Sequence, residues 1–168
     1  MAHKVENDWT IGKYRCVVIM TYMGHRCGYV GLPKSHPLHG AEYGEATSIL
    51  SASWQRAKHG ATGKRGVIPL FCAAISSDAE NATPELVFDV HGGITYSGDS
   101  KTYPVKNTGR WWYGFDAGHC DDAKDLNAID NPQLRETYSR LQEYGTIRTL
   151  EYMMSECASL VKQLKEIP

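Results

Sequence analysis

The histidines and carboxylates best suited to chemistry lie in two short segments, residues 91–96 and 116–122. The first reads His-Gly-Gly-Ile-Thr-Tyr and the second reads Asp-Ala-Gly-His-Cys-Asp-Asp. Each segment follows an apolar run, residues 86–90 and 111–115, whose β-branched and aromatic composition is typical of strands. Side chains that directly follow neighbouring strands can meet at one edge of a sheet, so the sequence predicts a site there.

The first hypothesis for this site is the binding of a nucleotide or nucleotide-like signal. An aromatic face such as that of Trp112 could stack a base, and the backbone at Gly92 and Gly93 could approach a phosphate because no side chain blocks it. Asp116 or Asp122 could accept hydrogen bonds from ribose hydroxyls. Such a protein needs no catalytic group and no cofactor. The candidate ligand-binding residues are His91, Gly92, Gly93, Thr95, Tyr96, Trp112, Asp116, His119, Asp122, Lys34 and His36.

The alternative hypothesis is a metal-dependent hydrolase that acts on a phosphoester or an amide. His91, His119 and Asp122 would bind zinc or another divalent ion with an open position, and the ion would lower the pKa of a bound water. Asp121 would then move protons from outside the ligand set. A metal-free variant would use His119 as a general base oriented by Asp116. The candidate catalytic residues of an enzyme are therefore His119, Asp116 and Asp121.

The plain alternative is structural. His91 and His119 could be histidines at strand ends that bond to backbone groups. Successive residues of a strand point to opposite faces, so at least one aromatic residue of the run 111–113 must enter the core. The sequence has no His-Glu-x-x-His, Gly-x-Ser-x-Gly, Walker loop or Gly-x-Gly-x-x-Gly that would decide between these hypotheses.

Three blocks of the sequence resemble a family of small uncharacterised proteins common in bacteriophages and prophage-bearing bacteria. The blocks are residues 28–40, the His-Gly-Gly-x-Thr-Tyr and Trp-Trp-aromatic-Gly-Phe-Asp runs with the following His-x-x-Asp, and residues 149–164. The family brings no established activity. Phages encode compact proteins that sequester host immune nucleotides, so the resemblance implies a sequestering role in the host cytoplasm. Relatives tend to have cysteine in place of Ala117 and glycine in place of Asp121. Because this chain has alanine at position 117, we expect no thiol nucleophile after Asp116.

Composition narrows the class of protein. The length of 168 residues fits a single domain over residues 1–168. The formal net charge is −1, with 18 basic and 19 acidic residues interspersed, which does not favour a nucleic-acid partner. No apolar run is long enough for a membrane span. The 5 cysteines are odd in number and none forms Cys-x-x-Cys, so we expect no disulfide framework and a cytoplasmic location.

Hydrophobic patterns predict several elements before the C-terminus. Residues 14–23 and 28–32 read as antiparallel strands, and two prolines then predict an extended loop that carries Lys34, His36 and His39. His36 and His39 could reach one metal, but the plainer interpretation is an ordinary loop, because an extended residue before proline can be of almost any type. The remaining predictions are a helix at 48–58 capped by Thr47, a turn at 60–66, an apolar run at 67–75, strands at 86–90, 94–97 and 111–115, and a helix starting near Asn131.

The strongest periodic pattern lies at the C-terminus. From Thr146 onward, apolar residues recur at steps of three and four, which predicts an amphipathic helix of about five turns. Its apolar face should pack against the sheet, although the stripe could also serve a homo-oligomer. The predicted fold class is α+β, with a mostly antiparallel sheet packed by this long C-terminal amphipathic helix.

Overall fold

The computed structural model describes residues 3–51, 82–99, 101, 103–106, 108–141 and 144–168. Three of the predictions lie outside these residues: the part of the 48–58 helix after residue 51, the 60–66 turn and the 67–75 apolar run. Within the described ranges, no helix is long and apolar enough to cross a membrane.

The strands form one antiparallel sheet. In chain order they are β1 (Lys4–Ile11), β2 (Tyr14–Met20), β3 (Arg26–Leu32), β4 (Tyr96–Asp99) and β5 (Trp111–Asp116). Their spatial order is β1-β2-β3-β5-β4. β5 lies between the central strand β3 and the edge strand β4, so the residues that follow β5 have a strand on either side.

The register of β3 against β5 places one end of each strand at the same edge. Cys27 pairs with Asp116 at one end, and Leu32 pairs with Trp111 at the other. We call the first of these edges the Asp116 end. It also carries the β2–β3 turn, which closes with a hydrogen bond of 3.1 Å from the Gly24 amide to the Thr21 carbonyl.

A long helix, α3 (Leu150–Lys165), covers one face of the sheet and confirms the α+β prediction. It begins later than the predicted Thr146, because Thr146 instead forms backbone hydrogen bonds with Asp121 and Ala123. The Thr149 hydroxyl caps the helix by accepting from the Tyr152 amide at 3.2 Å. The residues of α3 that are buried are Met153, Glu156, Cys157, Leu160, Val161 and Leu164.

The two faces of the sheet have separate apolar clusters. Alternate residues of β2, β3 and β5, including Val18, Val30 and Tyr113, join the cluster under α3. The opposite face has its own cluster, which includes Ile19 and Trp112. Burial of one such large apolar side chain stabilises the fold by about 1.5–3 kcal/mol, so both faces contribute to stability.

Two features differ from the sequence predictions. The predicted strand at residues 86–90 is wrong: Pro84–Val87 forms a short helix, α1, and residues 88–90 belong to no strand. Proline at the first helical position is already in a helical conformation. β1 was not predicted, since its polar residues hide a period-two pattern of Val5, Trp9 and Ile11. Helix α2 (Pro132–Leu141) begins as predicted after Asn131, whose side chain accepts from the Gln133 amide.

Candidate functional site

Three distant segments meet at the Asp116 end of the sheet: residues 91–95, residues 116–122 and residues 148–156. Hydrogen bonds join all three segments. Most of the residues in the two segments that the sequence predicted do come together here. The third segment, at the start of α3, was not among the predicted site residues.

His91 occupies a tight turn at the centre of this cluster. The turn closes with a hydrogen bond of 3.0 Å from the Gly93 amide to the Val90 carbonyl. Gly92 has a φ of +69°, which glycine adopts at no steric cost. The His91 amide donates to the buried carboxylate of Glu156 at 2.9 Å. The backbone of the turn is therefore fixed to the face of α3.

Both ring nitrogens of His91 have partners. Nε2 lies 2.8 Å from Asp122 Oδ2, and Nδ1 lies 3.0 Å from Tyr152 Oη. An ionised carboxylate can only accept, so the Nε2 atom carries a hydrogen in this pair. In the neutral ring Nδ1 is then an acceptor, and the Tyr152 hydroxyl donates to it. The assigned order of donation is Tyr152 to His91 to Asp122.

Asp122 is a buried carboxylate of the cluster, with its side chain 1% exposed. Its Oδ1 accepts from Arg148 Nε at 2.7 Å, and its Oδ2 also accepts from the His119 amide at 3.1 Å. Burial acts to raise the pKa of Asp122, but the hydrogen bonds from Arg148 and His91 outweigh it and lower the pKa below its ordinary value. Asp122 is thus an ionised anchor for both the histidine and the arginine.

Arg148, Tyr152 and Glu156 are site residues that the sequence predictions missed. The Arg148 guanidinium lies over the ring of Tyr152 at 5.2 Å, and Arg26 donates to the Arg148 carbonyl at 2.9 Å. The missed signal is the spacing of four residues between Tyr152 and Glu156, which places both on one side of α3 next to its apolar stripe, while Arg148 directly precedes the cap of the helix.

His119 lies beside this network without joining it through its ring. Its Nε2 atom is 3.9 Å from Asp116 Oδ1, which is too long for a hydrogen bond. Asp116 instead accepts from the Thr95 hydroxyl at 3.1 Å and the Gly118 amide at 2.9 Å. The predicted pair of His119 and Asp116 is therefore not formed as a hydrogen-bonded base and orienter. The ring centroids of His119 and His91 are 5.7 Å apart.

His25, from the β2–β3 turn, borders the same cluster and was not predicted. Lys124 Nζ lies 3.4 Å from its Nδ1 atom. Burial lowers the pKa of His25, and the charge of Lys124 lowers it further, while the charges of Asp116 and Asp122 act in the opposite direction. The side chains of Lys124 and His25 thus lie close to the carboxylates of Asp116 and Asp122.

The predicted metal set of His91, His119 and Asp122 does not fit a divalent ion as it is arranged. Across the described ranges, no group of three or more His, Cys, Asp or Glu residues could hold one. Both nitrogens of His91 bond to protein groups, and both oxygens of Asp122 accept hydrogen bonds. A zinc ion would have to displace Arg148 or Tyr152 to obtain its ligands.

The prediction that Trp112 stacks a ligand base is wrong. Its side chain is 0% exposed and packs on the face of the sheet opposite α3. Tyr96 is half-buried and packs edge-on against Tyr29 and Tyr103 on the same face. Neither ring lies among the residues around His91, because alternation along β5 directs Trp112 away from the helix side.

The prediction that Lys34 and His36 belong to the ligand site is also wrong, since both residues follow the opposite end of β3. A seven-residue strand separates them from the Asp116 end by roughly 20 Å. His36 is buried; its Nε2 atom donates to the Leu164 carbonyl at 3.1 Å, and its Nδ1 atom accepts from the Leu38 amide at 3.1 Å. Burial lowers the pKa of His36. It is a structural histidine.

The remaining predicted residues divide between the site and its surroundings. Asp121 is exposed, and its backbone carbonyl accepts from the Thr146 amide. Gly92 does not leave room for a phosphate, because the ring of His119 fills the space beside its Cα. Gly93 is buried in the turn behind His91. The side chains of His119 and Asp116 are partly exposed, at 37% and 30%, and Thr95 is exposed.

No protein-family model, curated protein or solved structure matches the chain. Function is therefore argued from the geometry of the site. The site combines a buried ionised carboxylate, an imidazole bonded at both nitrogens, and partly exposed polar groups from separate segments. Such an arrangement can bind a polar ligand, and it can also transfer a proton between Tyr152 and His91.

Proposed function

We propose that the protein binds a small, polar, nucleotide-like ligand at the Asp116 end of the sheet. The observation that carries the proposal is the convergence of polar side chains from three distant segments around the buried carboxylate of Asp122. A folded protein rarely buries an ionised group unless other groups pair with it. Here that pairing also fixes Arg148 and the His119 amide, and the His119 ring lies 3.9 Å from the partly exposed Asp116.

The groups at this end suit different parts of such a ligand. Asp116 can accept a hydrogen bond from a ribose hydroxyl, and His119 and Lys124 can donate to a phosphate. A base would stack on a tyrosine rather than on Trp112. Tyr22, in the β2–β3 turn, is 44% exposed and lies at the same end of the sheet. The proposal therefore assigns the stacking role to Tyr22.

The resemblance to phage and prophage proteins adds a biological prediction. A protein that holds a nucleotide tightly without altering it would sequester a host immune signal in the host cytoplasm. Sequestration requires complementarity to the ligand and no turnover. The prediction is therefore that nucleotide incubated with the protein is recovered unchanged after denaturation.

Calorimetric titration with nucleotides tests the binding site. The panel contains nucleoside monophosphates, cyclic dinucleotides and dinucleotides linked by a pyrophosphate, added to protein that has been refolded free of ligand. His119→Ala should weaken binding by about tenfold or more, the usual effect of losing a hydrogen bond to a charged group. His39→Ala is the matched control, because His39 is a half-buried histidine that follows the other end of β3.

Two results would contradict the proposal. One is an absence of binding to every nucleotide of the panel by the refolded wild-type protein. The other is an equal loss of affinity in His119→Ala and His39→Ala, since the site would then lie elsewhere or the effect would come from the fold.

A hydrolase is the second candidate, and one observation favours a metal-free form of it. Tyr152, His91 and Asp122 are joined in the order hydroxyl, imidazole and carboxylate, which is the arrangement that activates a nucleophile in acyl-transfer enzymes. Chromatography of nucleotide recovered from the protein separates the candidates. Unchanged nucleotide supports sequestration, and a hydrolysis product supports the enzyme.

A further inference from the structure

We propose that the Tyr152 hydroxyl is a nucleophile, activated by His91, for a phosphoester group of the ligand. The proposal deepens the hydrolase candidate, for which it predicts turnover of the nucleotide that sequestration would leave unchanged, and it rests on the ligand site proposed above. It assigns the reactive atom to α3, outside the two segments that carry the sequence motifs. It also gives His91 a role different from ligand or metal binding.

The distances support transfer of the phenolic proton to the imidazole. Tyr152 Oη lies 3.0 Å from His91 Nδ1, which is within the range required of a nucleophile and its general base. His91 Nε2 lies 2.8 Å from Asp122 Oδ2 on the opposite side of the ring. The carboxylate fixes the tautomer in which Nδ1 is free to take a proton, and it stabilises the positive charge that the transfer creates.

The surroundings hold these groups in place. Arg148 bonds to the other oxygen of Asp122 at 2.7 Å and lies over the Tyr152 ring. The His91 backbone is bonded to Glu156, one turn further along α3 than Tyr152. The nucleophile, the base and the orienting carboxylate are thus all tied to the N-terminal half of one helix. Preorganisation of this kind is what a positioned nucleophile needs.

The neighbouring charges favour a phosphoester over a neutral ester. The Arg148 guanidinium lies 5.2 Å from the Tyr152 ring, and the His119 ring lies 5.7 Å from that of His91. Both can donate hydrogen bonds to the oxygens of a phosphate. The exposed side of the site would therefore accept the negative charge that remains on the phosphoryl group.

The reaction balances in two steps with water as the co-reactant. First, Tyr152 Oη forms a bond to phosphorus as the bond from phosphorus to the leaving oxygen breaks. The phenolic proton moves to His91 Nδ1 and then to the leaving oxygen. Second, a water molecule attacks the tyrosyl phosphoester with His91 as its base, and the bond to Tyr152 breaks. The proton held by His91 returns to Tyr152, which restores the starting state.

Chemical labelling with benzenesulfonyl fluoride tests the reactivity of Tyr152 without any natural ligand. The tyrosine oxygen forms a bond to sulfur, fluoride leaves, and the phenolic proton passes to His91 and then to solvent. Peptide mapping by mass spectrometry follows the rate at each tyrosine. Tyr144, which is 86% exposed, serves as the internal control. The concentration of the reagent is set so that Tyr144 reacts measurably.

The expected result is that Tyr152 of the wild-type protein reacts faster than Tyr144 although it is less exposed. His91→Asn should slow labelling of Tyr152 by about 100-fold, the lower range of what a general base contributes, and should leave Tyr144 unchanged. Labelling of Tyr144 at the same rate as Tyr152 or faster, in the wild-type protein, overturns the proposal. Because the labelling rates of Tyr152 and Tyr144 are compared in the wild-type protein, the proposal is tested even if His91→Asn does not fold.

The test can fail separately from the proposed binding function. An unreactive Tyr152 in a protein that binds nucleotide removes the nucleophile and leaves the binding site. A reactive Tyr152 in a protein that binds no nucleotide of the panel keeps the nucleophile and removes the assignment of its substrate.

Discussion

The ring of His119 packs directly against Gly92, so that a Cβ atom at position 92 would lie 1.8 Å from His119 Nε2. This contact explains why glycine follows His91 in the turn. It also couples the two sequence segments of the site, since any side chain at position 92 must displace His119.

We predict that Gly92→Ala weakens nucleotide binding because it moves His119 out of the site. Gly12→Ala is the matched control, since Gly12 also has a positive φ, +61°, but a Cβ there would contact nothing within 4 Å. Both substitutions should cost about 1–2 kcal/mol for the strained backbone. Only Gly92→Ala should lower the affinity in a calorimetric titration. Equal binding by the two variants would show that the position of His119 does not matter.

Asp122→Asn should lower the free energy of unfolding by about 2–3 kcal/mol. The substitution leaves the partly buried Arg148 without its carboxylate and removes an acceptor from His91. Asp8→Asn breaks the surface pair with Arg15 and should cost at most about 1 kcal/mol. Urea denaturation of both variants measures the difference. Similar losses for Asp122→Asn and Asp8→Asn would contradict the role of Asp122 as an anchor.

Trp112→Ala should destabilise the fold by about 3–5 kcal/mol, because it leaves a cavity in the cluster opposite α3. The milder Trp112→Phe should remain folded and bind nucleotide with wild-type affinity. Tyr22→Ala should show the opposite behaviour, with weaker binding and little change in stability. If Trp112→Phe lost nucleotide binding at unchanged stability, Trp112 would be part of the binding site after all.

Stability should fall as the pH drops below about 6.5. Burial lowers the pKa values of His36 and His25 below 6.5, the ordinary value for histidine. Between the lowered pKa of each histidine in the folded protein and its ordinary pKa in the unfolded chain, the unfolded chain binds more protons than the folded protein. Acid therefore favours unfolding in this pH range. The lowered pKa of Asp122 adds a second loss as the pH falls below 3.8.

Thermal denaturation from pH 8 to pH 5 measures this dependence. His36→Gln should be less stable at pH 8, because Gln cannot satisfy both Leu164 and Leu38, and its stability should fall less steeply between pH 7 and pH 5. Each histidine contributes at most about 1.4 kcal/mol per pH unit. An unchanged slope in His36→Gln would show that His36 is not one of the groups that take up protons on unfolding.

The sequence predicted those parts of the fold that depend on local patterns. The period of α3 and the apolar runs of β2 and β5 follow from neighbouring residues alone. Whether His91 and His119 converge was left open by the sequence, although each lies shortly after an apolar run. β1 was missed because an edge strand is half-exposed and alternates weakly.

The rest depends on contacts that no local pattern contains. Alternation shows that Trp111 and Trp112 face opposite ways, but it does not show which face α3 covers, so Trp112 was assigned to the site in error. Tyr152 and Arg148 join the site because the N-terminus of α3 lies at the Asp116 end. Only the packing direction of the helix on the sheet determines that position.

Native mass spectrometry of gently purified protein, compared with its mass after denaturation, is the most direct test of nucleotide binding at the Asp116 end. We expect an added mass equal to that of a nucleotide, which His119→Ala reduces and His39→Ala does not. Chromatography of the released molecule would then identify it. A protein that carries no added mass, and gains none after incubation with the nucleotide panel, would contradict the proposed function.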